Sequence, residues 1–226
     1  MTNADWLESI RHIARERSQG HDTAHDLLHL QRVVENARRL MIAELDAGQR
    51  VDHEIVEAAC WLHDLVQLPK GSGPPGESAR QSAFEARRVL RDLGVFDKKI
   101  DAICHAIETH SFSGGLRPET IEAAIVQDAD RLDALGAVGI ARLWVTGATL
   151  GGLLYHPDDP AGRARELDDR AFGLDHIERK LLTLPATMNT RSARVEAERR
   201  ARFVAEYRAT LLREIGERDT VLDSST

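Results

Sequence analysis

Apolar side chains recur along this chain at the three-and-four spacing of amphipathic helices. Leu30, Val33, Val34, Ala37, Leu40 and Met41 outline one stripe, and Ile55, Ala58, Ala59, Leu62, Leu65 and Val66 a second. Phe84, Val89 and Leu90 belong to a third, which Gly94 closes. Asp97 is placed to cap a fourth, whose face is Ile100, Ile103, Cys104 and Ile107. Segments 121–126 and 132–143 add two more. The stretch 175–215 alternates charge with Leu, Ile and Phe at helical spacing, and Pro185 interrupts it. No run of period-two strands appears, and the glycine- and proline-rich stretches 68–76, 113–118 and 151–162 read as loops. The pattern predicts an all-α fold, a single domain over 1–226 with about eight helices.

Composition narrows the class. The chain has 226 residues, enough to bury a sizeable core, and 42% apolar with 30% charged residues excludes wholesale disorder. A net charge of -7 argues against non-specific binding to nucleic acid polymers and leaves room for a local phosphate site. Two cysteines are too few for a disulfide scaffold or a four-cysteine zinc site, and they read as reduced, buried thiols. The first residues carry no basic segment followed by an apolar run. The most apolar stretch, 135–155, contains Arg142 and several glycines and reads as helix and loop, not as a membrane span. A cytoplasmic location is the expectation.

Ten histidines then stand out. His21, His25 and His29 recur every four residues; His63-Asp64 follows, then His105 and His110, then the acidic cluster Asp128, Asp130 and Asp133. Imidazole nitrogen with carboxylate oxygen suits a divalent ion of borderline hardness, such as Mn, Fe, Co, Ni or Zn. His63-Asp64 lies inside the apolar segment 58–66, where polar groups are costly unless they pair or coordinate. Taken singly, each histidine is an ordinary structural or surface residue; the ordered set is the signal.

That order resembles the HD superfamily of metal-dependent phosphohydrolases. Three stretches carry the match: His25-Asp26-Leu27-Leu28-His29-Leu30-Gln31-Arg32-Val33, Leu62-His63-Asp64, and Asp128-Ala129-Asp130-Arg131-Leu132-Asp133-Ala134-Leu135-Gly136. Later features, His105 to Phe112, Leu174-Asp175-His176 and Met188-Asn189-Thr190, are similar to a small bacterial subfamily near the nucleotide pyrophosphohydrolases. The likeness covers roughly residues 20–210. It implies that His29, His63, Asp64 and Asp130 hold the metal, Mn2+ or Mg2+ first, with Ni2+, Co2+, Fe2+ or Zn2+ as alternatives. Asp128 and Asp133 then fall to supporting or helix-capping roles, and Asp26 to capping the His29 helix. Where several relatives carry an acid after the His-Asp pair, this chain has Gln67. The general base therefore stays open between Asp64, His105, His110 and the metal alone.

The resemblance implies hydrolysis of (deoxy)nucleoside triphosphates to monophosphate and pyrophosphate. Alternatives are a 5′-nucleotidase, a triphosphohydrolase, a cyclic-nucleotide phosphodiesterase, or a metal- and nucleotide-binding module without turnover. Phosphate charge calls for cations. Arg32, Lys70 and Lys180 are the candidates, with Arg191 and Arg194 behind them and His25 as a pocket residue. The expected partner is a small phosphorylated molecule, not a nucleic acid polymer or a membrane; a homodimer is compatible with all of this.

Overall fold

The protein is seen in a computed structural model that describes residues 3–19, 26–68, 73–112 and 114–216. It is all-α: among the described residues there are nine α-helices, one 3-10 helix and no strand. The chain divides into two compact units, Met1–Asp133 with Met188–Arg194, and Ala134–Thr187 with Val195–Thr226.

The first unit is built around α3 (His53–Leu62), which meets α1 (Asn3–Arg17), α2 (Leu27–Asp46), α4 (Glu77–Asp92), α5 (Asp97–Thr109) and α6 (Ile121–Asp133). Its sequence explains that place. Val56, Ala58, Ala59, Cys60 and Leu62 are fully buried, so the helix is apolar nearly all round. Asp52 starts it by accepting from the amides of Glu54 and Ile55. Asp26 does the same for α2 by accepting from His29 N at 2.9 Å, as expected. Phe96, not Asp97, precedes α5, and no side chain caps it; Asp97 is that helix's first residue. Gly94, at φ 73, ends the run after α4 as predicted.

Helix α1 was not among the expected elements. Trp6, Leu7, Ile10 and Ala14 form its buried stripe, and Arg11 donates to Glu57 on α3 at 2.6 and 3.1 Å. The two predicted segments 121–126 and 132–143 are two helices, α6 and α7 (Gly136–Thr149), but α6 runs on to Asp133 and the break falls where Gly136 adopts φ 72.

The second unit holds α7, α8 (Gly173–Arg179), the 3-10 helix Leu181–Thr187 that contains Pro185, and most of α9 (Arg191–Glu214). Trp144 on α7 donates to the Tyr207 hydroxyl on α9 at 2.8 Å. The buried Asp175 carboxylate receives Arg165 through two nitrogens, at 2.5 and 2.7 Å. No described helix is long and apolar enough to cross a membrane.

One ion-pair network gives a pH prediction. On α9, Glu196 accepts from Arg199 at 2.7 and 2.8 Å and from Arg200 at 2.7 Å, and these guanidiniums hold its carboxyl down to about 2. A depressed carboxyl stabilises the fold above its ordinary value near 4.5 and loses that contribution as pH falls towards 2. Discounted for solvent, it is worth about 1 kcal/mol. Glu196→Gln should therefore lower the urea midpoint at pH 7, and the gap to wild type should shrink by pH 3. A gap that stays constant with pH would rule the ion pairs out as its source.

Candidate active site

The site lies within the first unit, where α2 and α6 pack together beside the end of α3. His29 sits near the start of α2 and is fully buried. His63 is the C-cap of α3 and is also fully buried. Its Nδ1 donates to the carbonyl of Cys60 at 2.8 Å, which turns Nε2 inward. Burial pushes its pKa down to about 4, so the ring is neutral near pH 7 and Nε2 carries a lone pair.

The inward nitrogens converge. His29 Nε2 and His63 Nε2 are 3.2 Å apart. Asp64 Oδ2 is 3.6 Å from the first and 3.4 Å from the second. Asp130 Oδ1, from α6, lies 3.5 Å from His29 Nε2 and 3.9 Å from His63 Nε2. His29, His63 and Asp64 offer ligand atoms all within 4.8 Å of one another. Two imidazole lone pairs and two carboxylates crowded together repel unless a cation lies among them. This donor set of two nitrogens and carboxylate oxygens fits a divalent metal.

His110 joins the cluster. It is buried at the C-cap of α5, and Nδ1 donates to the Ile107 carbonyl at 2.6 Å. Its ring stands 4.8 Å from that of His63, and Nε2 is 3.8 Å from Asp64 Oδ1. The helix ends at His110, so its ring can turn to a face that His105 does not share.

His105 is placed elsewhere: its Nε2 accepts from the amide of Glu119 at 3.0 Å and anchors the loop after α5. Arg32 is bound to Asp133 through Nε and Nη2 at 2.7 and 3.0 Å. Lys180 is the C-cap of α8 and belongs to the second unit. Arg194 donates to the Met188 carbonyl at 3.1 Å. His25 and Lys70 lie outside the described residues. Both cysteines are free and buried, and burial raises their thiol pKa values.

Behind Asp130 lies a polar knot. The fully buried Asp128 accepts from Asn189 N and Nδ2, at 2.9 and 2.8 Å, and from Thr190 N and Oγ1, at 2.8 and 2.9 Å. Burial raises its carboxyl pKa, and these donors oppose the rise. Thr190 in turn accepts from Ala193 N and so caps α9. The neighbouring Gln127 was not foreseen. Its Oε1 accepts from Asn189 at 2.8 Å, and its Nε2 donates to the carbonyls of Thr109 and Leu116 at 2.5 and 3.3 Å. That ties α6 to the residue just before His110. An amide at the end of the apolar run 123–126 was the available signal, because buried amides require partners.

The backbones before α4 and after α5 also approach closely. Gly76 has φ 79, and a Cβ there would meet Gly114 Cα at 2.8 Å, so only glycine permits this crossing.

This geometry and the sequence agree on a class. The HD domain family matches residues 21–135, and the chain belongs to that family, as a metal-dependent hydrolase of the HD superfamily. It is 35% identical over 216 residues to YpgQ of Bacillus subtilis, covering 93% of this chain and 90% of YpgQ. A crystal structure of Bacillus subtilis YpgQ in complex with ADP has a TM-score of 0.72 at 34% identity, covering 96% of this chain and 98% of that one. An HD-superfamily hydrolase from Bacillus thuringiensis has a TM-score of 0.72 at 30% identity, over 96% of this chain and all of the other.

Proposed function

We propose that the protein hydrolyses (deoxy)nucleoside triphosphates between the α and β phosphates, releasing the monophosphate and pyrophosphate. The observation that carries this reading is the convergence of His29, His63, Asp64 and Asp130, with His110 Nε2 3.8 Å from Asp64 Oδ1. The ADP held by YpgQ supports a nucleotide as the ligand class. Position of cleavage rests on the likeness to the pyrophosphohydrolase subfamily alone.

His29, His63, Asp64 and Asp130 hold a divalent ion, Mn2+ or Mg2+ first, with Co2+, Ni2+, Fe2+ or Zn2+ also suited to the nitrogen donors. When bound, that ion supplies Lewis-acid activation of water and of a phosphoryl oxygen. The chain's own part is proton handling and orientation. Asp64 presents Oδ2 to the two imidazoles and turns Oδ1 towards His110. His110, with Nδ1 committed to Ile107, offers Nε2 as the proton acceptor or donor for that oxygen's side of the site. Asp64 and His110 are thus the acid–base candidates, which offers a place for the proton despite Gln67. His25 and Lys70 remain the candidates for substrate phosphate, and His105 supports the loop.

The test is product analysis. Metal-free protein is supplied with Mn2+, Mg2+, Co2+, Ni2+ or Zn2+ and a panel of NTPs and dNTPs, and the products are separated by chromatography. Monophosphate with pyrophosphate in equal amounts is expected. Nucleoside with orthophosphate would assign a 5′-nucleotidase instead, and nucleotide binding without turnover a binding module.

A further inference from the structure

Three imidazoles of the site each direct Nδ1 at an acceptor, and the acceptors differ. His63 and His110 donate to main-chain carbonyls three residues earlier, Cys60 and Ile107. His29 alone is backed by a carboxylate, with Nδ1 2.8 Å from Asp133 Oδ2. The same carboxylate is gripped by Arg32, Nε to Oδ1 at 2.7 Å and Nη2 to Oδ2 at 3.0 Å. His29 and Asp133 are nearly completely buried, while the Arg32 side chain is 32% exposed and opens to solvent.

We propose that Arg32 and Asp133 form a positioning pair for the metal ligand His29, so that Arg32 acts on the centre through Asp133 and not on the substrate. The proposal rests on the metal reading above. A carboxylate only accepts, so the His29 proton belongs on Nδ1 and the lone pair on Nε2, the atom that faces Asp64 and Asp130. Left alone, the buried Asp133 would carry an uncompensated charge and could rotate away from His29. The bidentate guanidinium fixes its plane and cancels its charge. Helical spacing makes the arrangement compact. His29 and Arg32 are three apart on α2, Asp130 and Asp133 are three apart on α6, and the two helices pack. The inner rung meets the ion; the outer rung sets its ligand.

The test measures Mn2+ affinity by calorimetry on folded, metal-free protein, with nucleotide KM followed separately. Removing an outer partner of a ligating histidine costs about 10–100-fold in metal affinity. Asp133→Ala should weaken Mn2+ binding by that factor. Arg32→Met, which keeps the packed stem, should also weaken it in the wild-type background and add nothing in the Asp133→Ala background. If Asp133→Ala fails to fold, Asp133→Asn, which retains one acceptor oxygen, should show a smaller loss. Imidazole nitrogen spectra of the metal-free protein add an independent readout: His29 should be the Nδ1–H tautomer in wild type and mixed in Asp133→Asn. Unchanged Mn2+ affinity in Arg32→Met with a raised KM would overturn the proposal in favour of a substrate contact. Unchanged affinity in folded Asp133→Ala would overturn it as well. His63→Ala is the control. Undiminished stoichiometric Mn2+ binding there would overturn the metal reading itself, and the proposal with it.

Discussion

Asp64→Ala should lose turnover by about 10³-fold or more, the equivalent of roughly 4 kcal/mol of transition-state stabilisation. Asp64 is the one residue of the cluster that faces both imidazole nitrogens through Oδ2 and His110 through Oδ1. Its removal therefore strikes ion binding and proton transfer together. The same change should not unfold the metal-free protein. There, the Asp64 and Asp130 carboxylates both face His29 Nε2 and their like charges oppose one another, so deleting one relieves repulsion at a site shaped for function rather than stability. The melting temperature of wild type should rise with Mn2+ concentration, because the ion binds the folded state, and that of Asp64→Ala should not. Metal content per chain, melting curves with and without Mn2+, and pyrophosphate release check these points. Full turnover in the variant would dismiss the proposed centre.

Asp128→Ala should be the most destabilising single change near the site. The carboxylate meets four donors from Asn189 and Thr190 in a fully buried setting. Truncation strands those donors, and each buried orphan costs about 1–3 kcal/mol, partly relieved by water entering the gap. A total of about 3–5 kcal/mol is expected. For a chain of this size that is a drop of roughly 10 °C or more in melting temperature. Asp128→Asn keeps one acceptor oxygen and should lose less. A urea midpoint within 1 M of wild type for Asp128→Ala would show that Asn189 and Thr190 are held by something else; about 3 kcal/mol over an m-value of about 2 kcal/mol/M predicts more.

The fold class and the heart of the site were legible because both depend on local signals. Helix α3 declares itself through the apolar run 58–62, and His63-Asp64 ends that run at the candidate metal site. What escaped the sequence depends on partners far along the chain. Arg32 reads as a spare cation until Asp133, 101 residues later, is seen to bind it. His105 reads as a site histidine until the Glu119 amide claims its ring. Helix α1 buries only Trp6, Leu7, Ile10 and Ala14 of its apolar face among many charged neighbours, and its fixing partner, Glu57, is 46 residues away from Arg11. The break between α6 and α7 turns on the left-handed backbone of Gly136, which an apolar pattern crosses without notice.

Asp128 also has a bearing on how the chain is made. Its partners Asn189 and Thr190 are synthesised 61 and 62 residues after it, beyond the whole excursion 134–187. At about 5–20 residues per second, a nascent chain spends roughly 3–12 s with that carboxylate unmatched. Until Thr190 arrives, burying Asp128 is unfavourable, and α6, which bears Asp130, lacks its last anchor. A chain released before residue 189 would hold every metal-ligand candidate yet lack the four donors that Asp128 accepts from.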